Sequence, residues 1–235
     1  MNGRSVGRRS RVAGDVTSSV ELPIALEEHR RALTRCRRCR LPAGCARPVV
    51  SESLVPRGML IGQAPGRVEV DDGRPFAGRA GRTLFRWLER AGLDERAARH
   101  RLHFAAVTRC YPGPSPSGRG DRVPSPAEQV NCRPWLDAEL RLLRPPLVVL
   151  VGRLAIVSML GSQPLRDVVG EAHVISHAGV QSLAIPLPHP SGASSWIHQP
   201  GHAQLLEAAL ARLAGELRRL GIVGGTEAGV GVRVA

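Results

Sequence analysis

The sequence predicts an α/β fold, a three-layer α/β/α sandwich with a central four-stranded mainly parallel sheet. Short apolar segments alternate with helical segments four times along the chain, and this alternation is typical of parallel strands joined by helices. One segment, "PPLVVLVG", is apolar throughout, as expected for a strand buried on both faces. The 235 residues suit one such domain with tails.

The N-terminal half contains two predicted strands and two helices. We expect residues 1–19 to form a disordered basic tail, 20–222 the folded domain and 223–235 a flexible tail. The first helix is predicted in "ELPIALEEHRRALTRC", where apolar residues recur among charges, and it should end near Cys36. A loop, "CRRCRLPAGCARP", precedes the strand "GMLIG". A Gly-rich loop and the helix "GRTLFRWLERAGL" follow, and Gly92 is expected to close that helix. The second strand is predicted in "LHFAAVTRC".

The C-terminal half begins with a long Pro/Ser/Gly/Arg loop, "YPGPSPSGRGDRVPSPAEQ". At its end, Ser125 and Glu128 have the spacing of a capping box, with Pro126 at the first helical position. The strand "PPLVVLVG" then leads into a short helix that starts at Arg153. "SLAIPLPHPSG" contains the last core strand, and "GHAQLLEAALARLAGELRRLG" predicts a long amphipathic C-terminal helix.

The charge of the chain favours a nucleic-acid partner. The net charge is +13, and all 33 basic residues are arginines, whose guanidinium groups bind phosphate bidentately. GC-rich codons explain the choice of Arg over Lys, but they do not explain the excess of positive charge. Without lysine, Schiff-base lyases and P-loop phosphotransferases are disfavoured. No apolar run of 18 residues and no secretory signal is present, so we expect a cytoplasmic protein with no membrane partner.

The cysteines favour a metal site over disulfides. The chain has five, an odd number, and no secretory signal accompanies them. Cys36 and Cys39 form a C-x-x-C loop, Cys110 is expected at the end of the second strand, and Cys132 lies in the helix that folds back beside it. Four thiolates select zinc or an iron–sulfur cluster, and the spacing leaves both open, together with ordinary buried thiols. Cys45 is interpreted as a small packed residue.

Residues of several segments are expected to meet at the carboxyl edge of the sheet, where ligands of parallel sheets bind. The Gly-rich stretch "GQAPGRVEVDDGRPFAGRAG" has neither a Walker A nor a dinucleotide-binding pattern. Its acidic residues would repel a pyrophosphate, whereas carboxylates near Phe76 suit a flat, neutral base. His189 lies between two prolines after the last strand, a setting that suits a catalytic role as well as a structural one.

These motifs resemble those of the uracil-DNA glycosylase superfamily over roughly residues 22–221. The resemblance is greatest to its iron–sulfur family four branch, with a divergent first motif in "GQAPGRVEVDDGRPFAGRAG". "HPSGASSW" resembles the H-P-S loop of the last motif. Four cysteines match the family's cluster ligands in order and approximate spacing: Cys36, Cys39, Cys110 and Cys132. The resemblance therefore implies a [4Fe-4S] cluster, with zinc as the alternative.

The function implied by the resemblance is base excision repair of damaged DNA. A monofunctional hydrolase, expected to be a monomer, would flip a deaminated base, uracil first, and cleave its N-glycosidic bond to leave an abasic site. The catalytic candidates are His189, Glu69 and Gln63. The base-binding candidates are Gly62, Ala64, Phe76 and Ala106. The DNA-binding candidates are Ser191, Ser194, Ser195, Trp196 and Arg109, with Trp196 either a wedge in the DNA or an anchor for its own loop.

Two positions depart from the family pattern. Gln63 stands where relatives carry Glu, and Ala106 stands where they carry an Asn that reads the uracil edge. Two alternatives therefore accompany the main interpretation. In the first, the same fold acts on hypoxanthine, xanthine or mismatched bases. In the second, the chain is a catalytically inactive iron–sulfur protein that binds nucleic acid.

Overall fold

The computed structural model describes residues 21–53, 55–117, 120–191 and 196–223. The expected tail 1–19, nearly all of the tail 223–235, and the candidates Ser194 and Ser195 lie outside these residues. The separation into a domain and two tails therefore stays a prediction.

Five strands form one central sheet in the described part of the chain. They are β1 (Gly58–Gly62), β2 (Leu102–Ala106), β3 (Leu147–Val151), β4 (His173–His177) and β5 (Val180–Leu187), in the order β2-β1-β3-β5-β4. All neighbours are parallel except the antiparallel pair of β4 and β5. The α/β class is confirmed, but the predicted number of four strands is wrong by one.

The additional strand, β4, lies at an edge of the sheet. Only Ile175 in its centre is buried, so its sequence lacks the apolar run that identifies the inner strands. A tight turn through Ala178 and Gly179 joins it to β5, and both residues have positive φ, at 54° and 75°. The hairpin therefore comes from turn geometry that Ala178 does not signal in the sequence.

Eight α-helices flank the sheet within the described residues. They are α1 (Glu21–Thr34), α2 (Arg67–Asp72), α3 (Arg79–Arg90), α4 (Glu95–Arg101), α5 (Pro126–Leu143), α6 (Arg153–Leu160), α7 (Leu165–Val168) and α8 (His202–Arg219). The predicted capping box of α5 is confirmed: the Ser125 hydroxyl accepts the Glu128 amide at 3.3 Å, and the Glu128 carboxylate accepts the Ser125 amide at 2.7 Å. The short helices α2, α4 and α7 are not predicted by the sequence.

Two predicted ends are too late by a few residues. Helix α1 ends at Thr34. The Arg37 guanidinium donates to the Thr34 carbonyl oxygen at 3.0 Å and so satisfies a backbone acceptor at this helix end. Strand β2 ends at Ala106, so Cys110 lies beyond it and does not end the strand. The chain leaves the β2 register there, although the amides of Val107 and Thr108 still donate to the carbonyl oxygens of Gly62 and Gln63, at the end of β1 and just after it.

The strand register brings four chain ends to one edge of the sheet. Gly62 at the end of β1 pairs with Ala106 at the end of β2, and Val151 at the end of β3 pairs with Leu187 at the end of β5. All four strands point the same way, so the loops after them meet, as the sequence predicts. No helix among the described residues is long and apolar enough to cross a lipid bilayer.

Candidate active site

A cavity of about 360 Å³ opens at this carboxyl edge of the sheet, within the range of small-molecule sites. Eight of the candidate residues line it together: Gly62, Gln63, Ala64, Glu69, Phe76, Ala106, His189 and Ser191. They come from the segment after β1, the end of β2 and the segment after β5. The cavity has an apolar wall and a few converging polar groups.

Phe76 forms the aromatic wall of the cavity. Its φ of 54° is in the left-handed region, which is uncommon for a residue with a side chain and recurs at functional sites. The ring packs on the backbone of Gly62, where an added Cβ would lie 2.9 Å from the Cζ atom. Only glycine fits at position 81, because a Cβ on Gly81 would lie 1.8 Å from the carbonyl oxygen of Phe76. An edge contact with Phe104, with ring centroids 6.0 Å apart, completes the setting.

Glu69 closes the Gly-rich segment onto itself. One carboxylate oxygen accepts the Gly66 amide at 2.9 Å, and the other accepts the Gly78 amide at 2.8 Å. The carboxylate is thereby fixed in the cavity wall as a negative charge. Asp71 and Asp72 follow in the sequence but are exposed and do not line the cavity; Asp72 pairs with Arg74 at 2.8 Å.

Gln63 and Ala106 lie side by side at the ends of β1 and β2. The Gln63 carbonyl oxygen accepts the Thr108 amide at 3.2 Å, which holds the backbone, and Gln63 lines the cavity. Ala106 presents only a methyl group there. The polar side chain available to a base at this wall is therefore the Gln63 amide, which can both donate and accept.

His189 is oriented by the residue two positions later. The Ser191 amide donates to Nδ1 of the imidazole at 3.2 Å, and the Ser191 hydroxyl lies 2.9 Å from the same atom. In the neutral ring the proton is therefore on Nε2, which makes Nε2 a donor. Burial lowers the pKa of His189, so the neutral form persists below the usual range. Gly152 leaves room for the ring, since a Cβ there would lie 2.9 Å from Cδ2.

Two charged residues of another loop also line the cavity, and one of them, Asp121, was not identified from the sequence. Asp121 and Arg122 belong to the long loop before α5, which carries no periodic signal. Burial, followed by a hydrogen bond to Asp121, raises the pKa of Tyr111. Arg122 is held by Glu128 through two contacts, at 2.8 and 2.6 Å. Both residues reach the cavity because the folded loop brings them there, and no local sequence pattern indicates this.

The prediction that Arg109 contacts DNA is wrong. Its side chain is 2% exposed and forms an ion pair with the equally buried Glu139, so it is not available to phosphate. The position of Arg109 near the carboxyl edge of the sheet predicts a surface residue. Its actual partner, the Glu139 carboxylate, lies in α5 and is distant in the sequence.

Trp196 has the geometry of an anchor. It is half-buried against the main core and stacks on His202 at 4.1 Å between ring centroids. Its carbonyl oxygen also lies 2.9 Å from Nδ1 of His202. These contacts favour the anchoring alternative over the wedge.

The four candidate metal-binding cysteines line a second cavity together: Cys36, Cys39, Cys110 and Cys132. Three N–H groups point at their sulfurs. The Trp135 indole donates to Cys36 at 3.3 Å, and the Arg109 amide donates to Cys132 at 3.3 Å. The Asn131 amide lies 3.8 Å from Cys39. Cys45 lies elsewhere, buried with Val49, Val70 and Tyr111 as expected for a packed residue.

The thiols of this sulfur-lined cavity lie close enough together to affect one another. Burial and then the nearby thiols of Cys132, Cys36 and Cys39 together raise the pKa of Cys110 to about 12. A bound metal centre would reverse this effect by stabilising thiolates. Within the described ranges, no group of three or more His, Cys, Asp or Glu side chains is arranged to hold a single metal ion.

The arrangement defines the class of protein first: an α/β protein with a cavity at the carboxyl edge of a parallel sheet, lined by an aromatic ring, an imidazole and a carboxylate. The family model described as the uracil DNA glycosylase superfamily matches residues 52–214. The chain belongs to that superfamily, and it is a glycosylase-type enzyme whose substrate is DNA.

Curated relatives agree with this assignment. The chain is 28% identical to the type-4 uracil-DNA glycosylase of Sulfurisphaera tokodaii over 191 residues, which cover 78% of this chain and 80% of the relative. It is 29% identical to the type-4 uracil-DNA glycosylase of Thermotoga maritima over 158 residues, covering 67% and 77%. A type-5 uracil-DNA glycosylase of Mycobacterium bovis is 35% identical over 99 residues, covering 37% and 34%.

Proposed function

We propose that the protein removes uracil from DNA by hydrolysing the N-glycosidic bond of a flipped nucleotide. The observation that carries the proposal is the cavity that an aromatic ring, a neutral imidazole donor and a fixed carboxylate line together. A flat base fits between the wall formed by Phe76 and the opposing polar groups. Extrusion from the helix is required because the bond is inaccessible inside the stack.

His189 is proposed to stabilise the leaving base. When the bond from C1′ to the base nitrogen breaks, its electron pair stays with the base, and negative charge develops on the carbonyl oxygens. The Nε2–H group, held by the contacts of Ser191 to Nδ1, donates to that charge. A donor fixed beforehand in a buried site gives this stabilisation without reorganisation.

Glu69 is proposed to balance the charge on the sugar. Departure of the base leaves an oxocarbenium-like sugar, and the carboxylate that is locked between Gly66 and Gly78 holds a negative charge in the cavity wall. Gln63 hydrogen-bonds to the base edge. Gly62 and Ala64 provide backbone surface beside the base.

The reaction is proposed to end at an abasic site. Strand cleavage by a glycosylase needs an amine that forms a Schiff base with the sugar, and the chain contains no lysine. Water is therefore the acceptor of the sugar. We further propose that the enzyme acts as a monomer on nucleoid DNA in the cytoplasm.

A [4Fe-4S] cluster is proposed in the sulfur-lined cavity. The residues fit it, because four cysteine thiols are the usual ligand set and N–H groups at their sulfurs are typical of such sites. Cys36 and Cys39 belong to the loop after α1, whereas Cys110 and Cys132 belong to the loop before α5 and to α5 itself. A bound cluster would cross-link these segments and supply no reacting group. Iron, sulfide and visible absorbance in the purified protein support it, whereas a colourless protein with one zinc contradicts it.

A second substrate class has one specific observation in its favour. Ala106 gives the base edge no side-chain partner, and the Gln63 amide can rotate to present either a donor or an acceptor. Hypoxanthine, xanthine or a mismatched base then remains within the reach of the same cavity.

The test is base release from oligonucleotides that carry uracil, hypoxanthine, xanthine or a mismatch, in single and double strands. Release of uracil above the other bases supports the main proposal. Release of a different base only would replace the substrate, and DNA binding without release of any base would favour the inactive binding protein.

A further inference from the structure

We propose that Asp121 is the catalytic carboxylate that positions and deprotonates the attacking water. This inference rests on the proposed glycosylase function and deepens it. Among the described residues that line the active-site cavity, the carboxylates are Glu69 and Asp121. A hydrolytic glycosylase needs both a negative charge near the sugar and a base for the water, and the two carboxylates differ in what they are able to do.

Glu69 is poorly placed to act as the base for the attacking water. Each of its oxygens already accepts one backbone N–H, from Gly66 at 2.9 Å and from Gly78 at 2.8 Å. A shift towards a water would open the loop that holds Phe76 between these glycines. Glu69 is therefore a fixed charge that also maintains the shape of the cavity.

Asp121 reaches the same part of the cavity from another segment. Its Oδ2 atom lies 3.0 Å from the position that a Cβ on Gly66 would take, and Oε2 of Glu69 lies 2.8 Å from that position. The two carboxylates thus flank one glycine at the cavity wall. A side chain at residue 66 would fill the space between them.

The loop that carries Asp121 is ordered by its own contacts. Asp121 forms an isolated antiparallel bridge with Pro114. The Ser115 amide donates to the Gly120 carbonyl oxygen at 2.9 Å, and the Arg122 amide donates to that of Gly113 at 3.1 Å. These contacts fix the backbone on both sides of Asp121.

The carboxylate of Asp121 is accessible to water. Asp121 is exposed and at the same time lines the cavity. A carboxylate whose oxygens are open to water inside the cavity has the features of a general base.

The proposed step balances in atoms and charge. The water oxygen forms a bond to C1′ of the oxocarbenium-like sugar, and one water proton passes to Asp121. The electron pair of the broken bond has already left with the base, whose negative charge His189 stabilises. The base takes a proton from solvent and Asp121 returns its proton to solvent, which restores the enzyme.

The experiment compares Asp121→Asn with the unaltered protein in single-turnover and steady-state uracil release. We expect kcat to fall about 10²- to 10⁴-fold, the usual contribution of a general base, with KM and the affinity for abasic-site DNA changed less than about twofold. Asp121→Glu should restore part of kcat, because a carboxylate remains. Asp71→Asn is the matched control, since Asp71 is an exposed carboxylate outside the cavity, and it should leave the rate unchanged.

The outcomes separate this inference from the function on which it rests. Uracil release by the parent with an equally active Asp121→Asn variant overturns the role of Asp121 and leaves the proposed function intact. A parent that releases no uracil overturns the proposed function and this inference with it. A purely structural role of Asp121 would lower thermal stability or raise KM while kcat stays near the parent value, and that result also overturns the inference.

Discussion

Replacing Glu139 by Gln tests the buried charge network beside the sulfur-lined cavity. The Glu139 side chain is 2% exposed and forms an ion pair with Arg109, which is buried to the same extent. His103 and His29 also contact it, at 3.2 and 3.3 Å. Burial alone would raise the pKa of Glu139, but Arg109 and then His103 hold it well below its usual value. The variant leaves the Arg109 charge buried without its partner.

The expected loss follows from that burial. Removing one member of a buried ion pair costs about 3–5 kcal/mol, which for a chain of this size lowers Tm by about 6–20 °C. Thermal and urea unfolding measure it. Glu207→Gln is the matched control, because Glu207 pairs with Arg90 at the exposed surface and such pairs contribute about 0–1 kcal/mol.

A second measurement separates the charge effect from packing. The double variant Arg109→Met/Glu139→Leu removes both charges, so it should be more stable than Glu139→Gln alone. The lowered pKa of Glu139 also sets a pH dependence: its stabilisation is present above the unfolded-state value of about 4.3 and is lost as pH falls below it. A loss under about 1 kcal/mol for Glu139→Gln would refute the reasoning.

Three further predictions concern the two cavities. His189→Ala should lower uracil release about 10²- to 10³-fold. In the parent, a pH–rate profile should show no fall in uracil release as pH drops through about 6.5, the usual His pKa. The reason is that burial lowers the pKa of His189 and keeps the imidazole neutral. Gly62→Ala should raise KM by displacing Phe76, since the added Cβ would lie 2.9 Å from Cζ; an unchanged KM contradicts the stacking role. Cys132→Ser should lower the iron content and visible absorbance, whereas Cys45→Ser, outside the cavity, should retain both.

The elements predicted well are those with strong local signals. The apolar strand β3 and the capping box of α5 are determined by residues within a few positions of one another. Edge strand β4 was missed because one buried residue, Ile175, is too weak a pattern. Helix α2 was missed because its six residues lie inside the Gly-rich stretch and depend on the Glu69 contacts for their start.

The candidate site divides in the same way. Residues that follow a strand end closely, such as His189 and Gln63, are predicted by the topology, and they meet Phe76 of the Gly-rich stretch in one cavity. Arg109 was misplaced and Asp121 was not identified, for a common reason. Their environments are set by partners distant in the sequence or by loop closure, namely Glu139 for Arg109 and the bridge to Pro114 for Asp121.

Release of free uracil from a uracil-containing oligonucleotide, measured together with formation of an alkali-labile abasic site, tests the central proposal most directly. The proposal predicts equal amounts of free base and abasic site from the parent protein, no strand cleavage before alkali, and a large loss of both products with His189→Ala. Intact uracil-containing DNA after prolonged incubation with the parent, or release that is unchanged by His189→Ala, would contradict it.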